Sequence, residues 1–95
     1  MTIEEMMLFK GNAEQMVEYQ KLLNRKDRLK KQIRTLSNKI HDEDDSLSVF
    51  DGELNEKDMQ IFKNHVAKRN ELVKERNIKQ GTFELVMKKI FEMQS

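Results

Sequence analysis

Apolar residues between positions 13 and 40 fall in two interleaved rows. Tyr19, Lys26, Ile33 and Ile40 are spaced by seven, and so are Leu22, Leu29 and Leu36. Alternating steps of three and four are the a and d positions of a heptad, which draw one apolar seam along a helix. Lys26 alone interrupts that seam. The pattern predicts a long helix over 13–40. The stretch HDEDDSLSVFDGEL follows, and its Asp and Ser clusters with Gly52 predict an acidic loop over 41–54. Asn55 is a good N-cap, with acids placed at the positive end of a second long helix over 56–80. There Met59, Val66 and Val73 form one row, and Phe62, Arg69 and Arg76 the other.

Two shorter helices flank this pair. Thr2 and Glu5 have the spacing of a capping box and open a helix over 2–10. Gly11 interrupts it, and Asn12 with Gln15 restarts the chain as helix. At the other end Gly81 suits a C′ position and Thr82 can cap a last helix over 83–93. In that helix Phe83, Val86, Met87, Ile90 and Phe91 stand at i, i+3, i+4, i+7 and i+8, an amphipathic face. A single connection between the long helices implies that they fold back antiparallel. Matching Ile40 with Met59 then sets Tyr19 level with Gln80, and brings Gly11 and Gly81 to the same open end. The expected fold class is all-α. It is an antiparallel, coiled-coil-like helical hairpin with short N- and C-terminal amphipathic helices, forming a single domain over 1–95 and oligomeric.

Composition supports a thin seam over a thick core. Hydrophobic residues make up 37% of the 95, and charged residues another 37%. A chain so short and so charged completes its core through long helices or through a second subunit. There is no Cys, so disulfides and thiolate metal sites are excluded. No apolar run approaches the ~18 residues of a membrane span. The N-terminal MTIEEMMLF carries acid where a signal peptide carries base, so a cytoplasmic location is expected.

The net charge of +1 hides strong local imbalance. Residues 21–39 carry eight Lys and Arg against one Asp, and residues 41–58 carry eight Asp and Glu against one Lys. The acidic run can be numbered as a calcium loop from Asp42 to Glu53, but Leu47 then stands where the sharp turn needs Gly, so no calcium binding is expected. Among the basic residues, Arg25, Lys26, Arg28, Arg69 and Arg76 are candidates for holding an anion. Lys26, Arg69 and Arg76 lie on seam rows, where polar residues ordinarily fix register or oligomer state. His41 and His65 lack metal-ligand spacing, and no nucleophile, phosphate loop or tuned carboxylate pair is present. No catalytic, metal or cofactor site is expected.

The function expected from these features is non-enzymatic. The chain reads as a self-associating helical hairpin that acts as adaptor or inhibitor of a macromolecular target. Its Lys- and Asn-rich, Cys-free composition would suit a phage or mobile-element accessory protein. Itself and another protein are the expected partners, with no membrane. The expected interface comprises Ile3, Met6, Met7, Phe9, Phe83, Val86, Met87, Ile90 and Phe91, because Met-rich apolar faces serve adaptable binding surfaces. The alternative is capture of an anionic ligand, nucleic acid or a small phosphate compound, by the basic mid-hairpin surface.

Overall fold

The computed structural model describes residues 2–94. All regular structure among them is helical: α1 (Ile3–Leu8), α2 (Ala13–Ser48) and α3 (Glu56–Gln94). None of these helices is long and apolar enough to cross a membrane.

The helix starts follow the sequence signals closely. Glu5 N donates to Thr2 Oγ1 and Thr2 N to Glu5 Oε1, a complete capping box. The same reciprocal pair joins Asn12 and Gln15 at the head of α2. Asn55 Oδ1 accepts from Asp58 N at 2.8 Å, capping α3.

The expected stops differ. The acidic loop over 41–54 is helical as far as Ser48, so α2 does not end at Ile40. The physical reason is that the heptad does not stop there. Continuing the rows by seven places Leu47 after Ile40, and Glu43 then Phe50 after Leu36. Local turn propensity yields to packing on that phase. The expected break at Gly81 is also absent, and α3 passes through Gly81 and Thr82. A glycine ends a helix by adopting positive φ. Only Gly52 does so here, at φ 74° in the link between α2 and α3.

The glycines consequently predict opposite outcomes. A Cβ at Gly81 would meet nothing within 4 Å, in a helix interior where Gly is unfavourable. Gly81→Ala is expected to stabilise by about 0.5–1 kcal/mol. A Cβ at Gly11 would stand 2.5 Å from Phe9 Cζ, so Gly11→Ala is expected to destabilise by about 1–3 kcal/mol through overpacking. Urea midpoints of the two variants should therefore move in opposite directions.

The chain divides into two compact units, one comprising residues up to Gln32 with those from Lys79 onward, the other Ile33–Ile78. The core of the first holds Tyr19, Leu22, Leu23, Leu29, Val86 and Ile90, with Phe9, Met16, Phe83, Met87 and Met93 packed against it. Tyr19 is 0% exposed. Its ring stacks on Phe9 with centroids 4.9 Å apart. Its hydroxyl donates to Glu5 O and accepts from Gln94 Nε2, both at 2.9 Å. Lys10 N donates to Met93 O. The expected register therefore fails in this unit: Tyr19 lies beside Gln94 and not Gln80, and the Gly11 end meets the end of α3 and not Gly81. Extension of α2 to Ser48 accounts for the shift.

In the second unit Leu36, Ile40 and Glu43 are buried. Phe50 meets Phe62 edge-on at 5.6 Å and lies 6.4 Å from His65. Of the rows expected in α3, Val66 and Val73 in one and Phe62, Arg69 and Arg76 in the other are part-buried, whereas Met59 is exposed. Half-buried His65 and Leu72 lie seven apart beside the first row and follow the same heptad phase.

Candidate functional site

Among the exposed apolar residues of the first unit, which include Val17, two groups stand together. The first is α1. Glu5 and Phe9, four residues apart, turn toward the chain: Phe9 onto Tyr19, and Glu5 toward Lys26 Nζ at 3.7 Å. Residues at i, i+3 and i+4 share the other face of a helix. That face carries Ile3, Met6 and Met7, and Ile3 and Met7 are 78% and 74% exposed. No residue of α1 is buried. The helix is thus held with a carboxylate inward and its apolar stripe outward. Burial pushes the Glu5 carboxyl up, but hydrogen bonding with Thr2 and the Lys26 charge outweigh it and hold it below its ordinary value.

The second is a solvent-open groove on α3 lined by Phe83, Met87 and Phe91, with Glu84, Lys88 and Glu92 along its side. Phe91 is 58% exposed, while Phe83 and Met87 lend one side of their chains to the core. Leu85 is exposed as well.

The residues expected at an interface therefore separate. Ile3, Met6, Met7 and Phe91 are exposed; Phe9, Phe83 and Met87 are shared between core and surface. Val86 and Ile90 require correction, because both are buried in the core of the first unit and are not offered to another chain. The cause is the uninterrupted α3, whose heptad phase carries them onto the inner face.

Among the expected anion ligands, Arg25 and Arg28 are exposed and form no ion pair among the described residues. Lys26 is occupied by Glu5 and, at 3.9 Å, by Asp27. In the second unit Arg69 Nε is paired with Asp44 Oδ1. Arg76 Nε is buried without a hydrogen-bond partner.

One polar cluster escaped the sequence reading. Glu43, 7% exposed, occupies the seam position that Leu36 predicts seven residues on. Its Oε2 lies 2.7 Å from His65 Nδ1 and its Oε1 3.2 Å from Lys68 Nζ. An ionised carboxylate only accepts, so Nδ1 carries the proton in this bond. The hydrogen bond from His65 holds the Glu43 carboxyl below its ordinary value; burial opposes it, and Lys68 adds to the lowering. A buried carboxylate with two donors fixes which residues of the helices face each other. Extending the Leu22, Leu29, Leu36 row by one step was the signal for it.

The acidic segment itself offers no cage. Asp42, Asp44 and Asp45 are helical, and His41 Nε2 approaches Asp45 Oδ2 at 3.6 Å across one turn. Among the described residues, no three His, Asp or Glu side chains gather as a metal site would require. No family model, curated protein or solved structure matches this chain.

Proposed function

We propose that this protein is a non-enzymatic interaction module. It is a self-associating, antiparallel helical hairpin that engages a macromolecular target as adaptor or inhibitor. The observation that carries the reading is the outward apolar stripe of α1. A stripe of Ile and Met in water is a liability for solubility unless another surface covers it. The open Phe83, Met87 and Phe91 groove supports the same reading. The hairpin is supported by the pairing in the second unit, where Phe50 meets Phe62 and the earlier Glu43 meets the later His65 and Lys68.

Light scattering over a concentration series tests the proposal. The intact chain is expected to exceed the 11.4 kDa of a single copy. Met7→Ser with Phe91→Ser is expected to return it to that mass with helical circular dichroism retained, since both side chains lie outside the core. A monomer at every concentration would refute self-association. Truncation after Gln80 is unsuitable, because it removes Val86 and Ile90 from the core.

The second reading, an anionic ligand on the basic face, is favoured by Arg25 and Arg28, which are exposed and form no ion pair among the described residues. Nucleic-acid binding by that face would weaken steeply with salt, whereas apolar contacts would not.

A further inference from the structure

We propose that α1 of one copy docks its Ile3, Met6 and Met7 stripe into the Phe83, Met87 and Phe91 groove of a second copy, and that the second copy returns the contact. This rests on the self-association proposed above and names the surfaces and the occupant.

The first argument concerns helix stability. Isolated helices shorter than about 12–15 residues are marginal in water, and most helical stability in proteins comes from packing an apolar face. α1 has six residues and buries none of them. The Tyr19 hydroxyl bonded to Glu5 O and the Glu5–Lys26 contact hold its polar side to its own chain, which aims the apolar stripe away. The stripe is thus displayed to a surface outside the unit that carries it.

The second argument is fit. The groove row runs from Phe83 to Phe91, a rise of about 12 Å at 1.5 Å per residue, and α1 extends about 9 Å. A one-turn-and-a-half helix therefore lies along three groove side chains without overhang. Lys88 is the cation lining the groove. Glu4 is the acid of α1 that forms no ion pair among the described residues. Glu84 and Glu92 flank Lys88 along the groove, so Glu4 is attracted only opposite Lys88, which sets the register of docking.

The third argument is symmetry. Stripe and groove belong to the same unit of every copy, so a two-fold axis can satisfy both at once and closes the assembly. Each apolar residue then counts twice toward the buried area. Standard stable interfaces bury about 1,600 Å² in total, so two reciprocal contacts serve an assembly better than one.

The chain has no cysteine, so single introduced cysteines report proximity cleanly. The experiment mixes the Met7→Cys chain with the Lys88→Cys chain under mild oxidation. Both positions are exposed, so neither change disturbs the core. The expected result is a mixed disulfide-linked pair formed at least tenfold faster than Met7→Cys with Val49→Cys, an exposed position in the other unit. In parallel, Met7→Asp is expected to raise the dimer dissociation constant at least tenfold, the loss expected for one buried Met. Cross-linking no faster than the Val49 control, or an unchanged dissociation constant, overturns the groove docking while association seen by light scattering stands. A chain monomeric at every concentration overturns both.

Discussion

Tyr19→Ala is expected to destabilise the protein by about 3–5 kcal/mol, the range for removing a fully buried aromatic ring. Three contacts converge on this side chain: the Phe9 stack, the Glu5 carbonyl and the Gln94 amide. They tie the N-terminal segment, α2 and the end of α3 into one unit. A domain of this length has a total stability on the order of 5–15 kcal/mol, so the loss is a large fraction of it. Tyr19→Phe keeps the ring and removes only the hydroxyl, and is expected to cost about 1 kcal/mol. Urea unfolding gives both values. Amide exchange locates them: protection in α1 and in the last turns of α3 should fall first in Tyr19→Ala.

Acid is expected to destabilise the second unit through Glu43. Its carboxyl titrates in the folded chain below its ordinary value of 4.5. A carboxylate lowered on folding contributes stability that is fully present above its unfolded value. That contribution disappears as pH falls through the lowered folded value. Protonation also removes the negative charge that His65 Nδ1 and Lys68 Nζ approach on the two carboxylate oxygens. Urea midpoints measured from about pH 5 down to pH 2 should therefore decline. Glu43→Gln should lie below the parent at neutral pH and decline less on acidification. Glu43→Lys should lie lower still, because it sets a second cation beside Lys68 in a buried place and removes the acceptor for His65 Nδ1. Equal acid slopes for the parent and Glu43→Gln would show that the pair with His65 contributes nothing. Glu5, also lowered, is the control: Glu5→Gln should change the acid response of the first unit and leave that of Ile33–Ile78 alone.

What was legible in the sequence follows from the strength of each local signal. The α2 seam is visible because Tyr19, Leu22, Leu29, Leu36 and Ile40 are apolar at heptad spacing, and all five are buried. Caps at Thr2, Asn12 and Asn55 are visible because capping needs particular side chains at fixed offsets. The extension of α2 was hidden because its next seam residue is Glu43, a carboxylate in a run of acids that otherwise signals a turn. Its burial is intelligible only with His65 and Lys68 beside it, and those lie more than twenty residues away. In α3 the row through Phe62, Arg69 and Arg76 was legible, and the neighbouring His65, Leu72 and Lys79 were hidden because two of the three are polar. Gly81 misled because glycine marks a helix end only when its backbone turns left-handed, which composition does not reveal. The outward face of α1 depended on a tertiary fact, namely which side Glu5 and Phe9 would choose.

The separation in sequence between contacting residues has a consequence for the order of folding. Glu43 and His65 are 22 positions apart, whereas Tyr19 and Gln94 are 75 apart. Closing the longer loop costs about 1 kcal/mol more in chain entropy, at roughly 0.6 kcal/mol per doubling of length. Contacts near the Gly52 link can therefore form early, and those joining the chain's two ends come late. During synthesis the same asymmetry becomes a delay. The segment before α2 emerges ahead of α3, and Gln94, which Tyr19 requires, is made 75 residues after it. Until α3 emerges, Tyr19 can stack on Phe9 and bond Glu5 O but lacks Val86, Ile90 and Gln94, so the core of the first unit closes only after those residues are made.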